Sequence, residues 1–139
     1  MNQPSLETVE LELAILLRRV TSTNKQLGTL DRSAYLLLHQ IASHGSAGVK
    51  ALADEFYLDI STVSRQTSAL EQKGYVTRIP DPSDGRAYSL QITELGLQEL
   101  ANTRQARLAR ITELMKEFTE EEQETFGRLL VKFNRTFRK

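Results

Sequence analysis

Leu97, Ala101, Arg104, Leu108, Ile111, Met115 and Phe118 step alternately by four and three residues. All but Arg104 are apolar. A period of 3.5 belongs to a helix that lays one seam along a helical partner. At ~1.5 Å per residue, a helix of about 25 residues is ~37 Å long, more than a globule of 139 residues requires. Two further stretches behave alike. Leu6, Val9, Leu13, Leu16 and Val20 form a helical stripe that Leu11, Ile15 and Leu17 widen, too broad for a helix with one wet face. Phe126, Leu130, Phe133 and Phe137 follow Thr119-Glu120-Glu121-Glu122, a capping box. The chain therefore carries more apolar helix surface at its ends than its middle can cover. An intramolecular bundle is one solution. A two-fold homodimer is the expected one.

The middle reads as smaller pieces. Ser5 is the expected N-cap of the first helix, and Thr21–Leu30 is polar and turn-rich. Asp31 starts a helix with Ala34, Leu37, Leu38 and Ile41 inward, ending near His44-Gly45. Val49–Phe56 is a third helix, and Tyr57-Leu58 a connection. Asp59 caps a fourth helix running to Lys73, with Gly74 closing it. Tyr75–Ile79 and Ala87–Ile92 read as two strands around a Pro80–Gly85 loop, with Tyr88, Leu90 and Ile92 on one face. Thr93 caps the long helix. Proline occurs only at positions 4, 80 and 82, so no helix interior must absorb one. The expected fold class is mostly α with a small β-hairpin, a helix-turn-helix and hairpin flanked by N- and C-terminal dimerisation helices. The expected division is 1–30 for the N-terminal dimerisation helix, 31–93 for the middle and 94–139 for the long and C-terminal helices, all in one integrated domain.

Composition removes several functions. There is no Cys, which excludes disulfides, thiolate metal sites, a nucleophilic thiol and a thiol redox switch. No run approaches ~18 apolar residues, and the N-terminus lacks the order of a signal peptide. A cytoplasmic protein with no membrane segment is expected. His39 and His44 have no further convergent ligands, so no metal and no cofactor is expected. No nucleophile triad or phosphate-binding loop stands in the sequence, and an enzyme is not expected. Lys+Arg and Asp+Glu both total 18, for a net charge of zero. The charge is nonetheless local. Residues 31–58 are net acidic and residues 60–90 slightly basic.

On a helical wheel of Asp59–Lys73, Val63, Thr67 and Leu70 share a narrow arc that should be buried. Opposite them lie Ser61, Ser64, Arg65, Ser68 and Gln72, with no acid among them and Glu71 to the side. Solvated helix faces favour Glu and Lys. Short hydroxyls instead permit close approach and bond phosphates or base edges. The Arg65 fork fits guanine O6 and N7. A Ser-rich solvated face is the plainer alternative. Asp84-Gly85-Arg86 follows a loop stiffened by Pro80 and Pro82. An Arg there suits a narrow minor groove, and Asp84 is near enough to orient it. A turn Asp with a solvated Arg is the alternative for that triplet alone.

Taken in order, Leu52-Ala53, Ser61-Thr62-Val63-Ser64-Arg65, Leu70-Glu71-Gln72-Lys73-Gly74-Tyr75-Val76, Asp81-Pro82-Ser83-Asp84-Gly85-Arg86, Leu90 and Ile92-Thr93-Glu94-Leu95-Gly96 make a pattern that resembles the MarR family of bacterial transcription regulators. The flanking helices fit that layout too. The resemblance implies a winged helix-turn-helix in a two-fold dimer built from the first and last helices. It implies a DNA-binding regulator of transcription, a repressor of a pseudo-palindromic operator released by a small-molecule effector. It puts Ser61, Thr62, Ser64, Arg65, Ser68 and Gln72 in the major groove. It puts Arg86 in the minor groove with Asp84 holding it. It also makes Arg18, Tyr35 and His39 candidates for an effector cleft, against ordinary packing or solvation. Tyr57 departs from the family, many of whose members carry Gly in that turn. A bulky residue at positive φ is strained, so either the turn differs or packing holds Tyr57. A winged-helix module that binds protein is the alternative function. Arg86 and the acid-free stripe around Arg65 favour DNA.

Overall fold

The computed structural model describes residues 3–22, 27–81 and 84–137, and only the backbone of residues 21, 22 and 84–86. The elements run α1 (Gln3–Ser22), α2 (Arg32–His44), α3 (Val49–Phe56), α4 (Ile60–Gln72), β1 (Val76–Asp81), β2 (Asp84–Ile92), α5 (Glu94–Leu114) and α6 (Glu120–Arg135). The hydrophobic core lies entirely between residues 30 and 100. Leu37, Leu38 and Ile41 of α2 meet Leu52 and Ala53 of α3, Val63 and Leu70 of α4, Val76 and Leu90 of the hairpin, and Leu100 of α5.

Local chemistry sets the helix limits. Asp31 Oδ1 accepts the Ala34 N–H at 2.8 Å and starts α2. Gly45, at φ 79°, ends it. Thr93 Oγ1 accepts the Gly96 N–H at 3.0 Å at the head of α5 and donates to the Gly74 carbonyl at 2.6 Å. One side chain thus ties α5 to the segment after α4. Gly96 itself lies so close to β1 that a Cβ there would stand 2.2 Å from the Tyr75 carbonyl oxygen. Thr119 and Glu122 close the capping box of α6. The strands pair antiparallel from Val76↔Ile92 to Pro80↔Tyr88. Ala47 adds a bridge to Leu90 through two backbone bonds of 3.0 and 2.8 Å.

Three expectations need correction. α1 begins at Gln3, so Ser5 is inside the helix and not its cap. Pro4 suits a first turn, where N–H groups have no intrahelical partner. The hairpin strands are longer than their apolar alternation suggested. Pro80 and Asp81 belong to β1, and Asp84–Arg86 to β2. In a two-stranded sheet Pro80 has a free edge for its missing N–H. Finally, α5 stops at Leu114, so Met115 and Phe118 leave the seam. Met115 takes a non-helical conformation at φ −105°, and Phe118 stacks on Phe126 with centroids 6.3 Å apart. The helix of 21 residues is therefore about 32 Å long.

α5 buries Gly96, Leu100 and Thr103 only. Leu97, Leu108 and Ile111 of the seam are exposed. So are Leu6, Val9, Leu16 and Leu17 of α1 and Phe126, Leu130, Phe133 and Val131 of α6. No described side chain of α1 or α6 is buried.

Candidate nucleic-acid interface

α3 and α4 meet across a tight turn. Tyr57 ends α3 in the left-handed conformation, φ 54° and ψ 42°. The Leu58 N–H then donates to the Ala53 carbonyl at 3.0 Å. The turn is therefore the left-handed one that Gly would serve. Packing does not hold Tyr57 there, since 49% of the residue is exposed. It is the one non-Gly residue with positive φ among the described residues.

α4 presents the expected two faces. Val63, Thr67 and Leu70 are buried. Ser61, Arg65 and Gln72 are exposed, and Thr62, Ser64 and Ser68 half-buried. Two side-chain arrangements on this helix were not legible in the sequence. Asp59 stands at the N-cap position but caps no backbone N–H. Its Oδ2 instead accepts from the Thr62 hydroxyl at 3.0 Å and the Ser61 hydroxyl at 3.5 Å. Glu71 is paired to the hairpin. Its Oε1 accepts from Arg78 Nε at 3.1 Å, and the Arg78 guanidinium sits 4.4 Å from the centroid of the Tyr88 ring. The contact joins α4 to both strands. Its sequence signal was faint, an acid and an Arg seven residues apart with a strand start between them.

The hairpin projects beyond this contact. Its register shifts between Pro80 and Asp81, and Asp81 faces Asp84 where a regular ladder would give it Ala87. The Arg86 backbone lies in β2, two residues past that pair. Pro82 and Ser83, the side chains of Asp84 and Arg86, and hence the expected Asp84–Arg86 pairing, lie outside the described residues.

The MarR family profile matches residues 30–88, from the start of the core to the middle of β2. YxaD of Bacillus subtilis (strain 168), named an uncharacterized HTH-type transcriptional regulator, is 46% identical over 139 residues, 98% of this chain and 97% of its own. This chain belongs to the MarR family of transcriptional regulators. A MarR family protein from Bacillus stearothermophilus shares the fold at a TM-score of 0.77 with 20% identity, over 98% of this chain and 97% of its own. A mutant MarR from E. coli, solved complexed with operator DNA, superposes at a TM-score of 0.64 with 25% identity over 75% of each chain. The six helices and two-stranded hairpin described above thus match the winged-helix structures of MarR proteins.

The residues named for a MarR-type effector cleft lie on other elements. Tyr35 is half-buried on α2, and the Arg107 guanidinium of α5 covers its ring at 4.7 Å from the centroid. His39 is exposed one turn further along α2, and Arg18 is exposed near the end of α1. Arg107 is the partner that sequence reasoning missed. Among the described residues no group of three or more His, Cys, Asp or Glu could hold a metal, and no helix is long and apolar enough to cross a membrane.

Proposed function

We propose that this chain is a homodimeric, cytoplasmic repressor that binds a pseudo-palindromic operator in double-stranded DNA and is released by a small-molecule effector, with no enzymatic activity. The observation that carries the reading is the solvent-facing stripe on the second helix of the MarR-family helix-turn-helix, with Ser61, Arg65 and Gln72 exposed and Ser64 and Ser68 half-buried between them. It holds one cation, three hydroxyls and an amide, and no carboxylate. That is the donor set for phosphates and base edges in a major groove. Thr62 joins the set at the head of the helix. The related E. coli MarR was solved on operator DNA. The hairpin beside α4 supports a minor-groove role for Arg86, with Asp84 as its orienting acceptor.

Two features support the dimer. α1 and α6 bury no described side chain within the subunit, and their exposed Leu, Val and Phe residues are the surplus that a second copy would cover. Two copies would put two α4 helices on half-sites ~34–36 Å apart, one turn of B-DNA. The stacked Arg107–Tyr35 pair, with His39 one turn away, supports an effector that is anionic and aromatic. Arg18 is the further cation in that reading.

The deciding experiment is a gel shift with the DNA upstream of the chain's own coding sequence, with unrelated duplex as competitor. Specific retention, protection of two half-sites one turn apart, and lowered transcription from that template are expected. Equal competition by unrelated DNA would refute sequence-specific regulation.

A further inference from the structure

The first turn of α4 carries two features that the stripe around Arg65 does not explain. One is Ile60, the first residue of the helix. It is 54% exposed and has no place in the core. Tyr57 and Leu58 just before it are exposed as well, and the two residues after it are the hydroxyls Ser61 and Thr62, so its branched side chain stands at the border between an apolar turn and the polar face. The other is Asp59, whose carboxylate takes hydrogen bonds from Thr62 at 3.0 Å and Ser61 at 3.5 Å.

The second feature fixes a polarity. A hydroxyl has one proton and two lone pairs. An ionised carboxylate can only accept, so in these contacts Thr62 and Ser61 must be the donors. The Thr62 proton, at 3.0 Å, is then committed to Asp59, and the Ser61 proton leans the same way across a longer contact of 3.5 Å. What they can still offer a partner is lone pairs. Such a hydroxyl cannot donate to a phosphate, to guanine O6 or N7, or to thymine O4. It can accept from adenine N6 or cytosine N4. Ile60 asks for something else, an apolar patch. The major groove offers one, the thymine C5 methyl. N-terminal residues of a recognition helix are those that reach base edges.

We propose that the first turn of α4 selects an A·T base pair in each half-site, with Ile60 covering the thymine methyl and the Asp59-bound hydroxyls of Thr62 and Ser61 accepting from adenine N6. Of the four base-pair orientations, only A·T and T·A display an exocyclic amino donor and a methyl on the same edge. C·G and G·C display the cytosine amino donor without the methyl. Asp59 acts here through the hydroxyls it holds and is a positioning residue. This inference rests on the major-groove reading of α4 but is separable from it. Arg65 can read its base whether or not the first turn reads A·T.

The test uses the full-length protein and duplexes selected from a random pool by gel shift. A fixed A·T pair in each half-site is expected, at a position distinct from the one that Arg65→Ala relaxes. In the selected duplex each thymine is then replaced singly by deoxyuridine, which lacks only the methyl. At one position per half-site the wild type should lose about fourfold in affinity, the value of one buried methyl. Ile60→Ala should bind more weakly and show no further loss at that position. Replacing the paired adenine by a purine without the 6-amino group should weaken the wild type. Thr62→Val with Ser61→Ala should abolish that difference. Asp59→Ala frees both protons and should let guanine compete at the same position. The wild-type deoxyuridine scan needs no variant to fold. Wild-type binding that is indifferent to every thymine methyl, or selected half-sites without a fixed A·T pair, would overturn the proposal and leave DNA binding intact. Absence of any selected sequence would instead overturn the regulator reading itself.

Discussion

Arg65 projects from α4 because Val63, Thr67 and Leu70 hold the opposite side in the core. That split was legible from a 3.6-residue period. Ile60 was not, because an apolar residue at a helix start reads as core, and only the fold shows that nothing covers it. Asp59 was misread more subtly. Asp before a helix ordinarily caps a backbone N–H, but hydroxyls two and three residues on compete for the same carboxylate. On the proposed reading, Arg65→Ala should weaken the preferred site by ~1–3 kcal/mol and relax preference at one position per half-site. Competition binding with single-base variants of the operator measures this, and uniform weakening across all sequences would make Arg65 a phosphate contact. Tyr57 makes a prediction about stability alone. Its left-handed backbone costs about 1–2 kcal/mol, and a half-exposed ring returns little of that by packing. Gly removes the strain but loses ~0.5–1 kcal/mol to unfolded-chain entropy. Tyr57→Gly should therefore raise the unfolding midpoint in urea slightly, by the equivalent of ~1 kcal/mol or less. A lowered midpoint would mean that the ring does more packing than its exposure implies.

Among the elements, the helices were the most legible because Asp31, Gly45, Thr93 and Thr119 punctuate them chemically. The hairpin was less so. Its strands include Pro80, Asp81 and Gly85, which propensity assigns to a turn, while pairing with Tyr88 and Asp84 carries Pro80 and Asp81 into the ladder. The Arg78 contact to Glu71 and Tyr88 depends on three elements meeting, and no single-element pattern announces it. The wing's own chemistry gives the third prediction. Arg86→Ala should weaken binding most on operators with A/T-rich flanks, where a narrow minor groove concentrates negative potential. Binding measured against salt should show the log–log slope reduced by about two per dimer, one counterion for each Arg86. An unchanged slope with weakened binding would point to a disturbed hairpin in place of a lost contact. Asp84→Ala should weaken binding less, because it removes an orienting acceptor and also a charge that repels phosphate. Tighter binding would end the idea that Asp84 holds Arg86.

At the scale of the whole molecule, the core occupies residues 30–100 while apolar side chains continue well beyond it at both ends. The seam that first suggested a partner extends only to Ile111, since α5 stops at Leu114 and the chain turns at Met115, carrying its aromatic surface onward into α6. The turn could not be read from period alone, because Met115 and Phe118 fall by coincidence in phase with the helix before them. This arrangement makes the dimer testable by a substitution that leaves the subunit's own core alone. Leu130 lies on α6, exposed, and α6 buries no residue within the chain. In an isolated subunit Leu130→Glu should therefore change stability by no more than about 0.5 kcal/mol, as surface substitutions do. In a homodimer it puts a carboxylate from each subunit into a desolvated interface, which is strongly unfavourable. Sedimentation equilibrium should give twice 15.8 kDa for the wild type and a mass shifted toward 15.8 kDa for the variant. The wild-type melting temperature should rise with protein concentration, since each tenfold increase favours association by ~1.4 kcal/mol. That dependence separates assembly from simple surface tolerance. A monomeric subunit melts at one temperature however dilute it is, and in that case the exposed faces of α1 and α6 would require another partner.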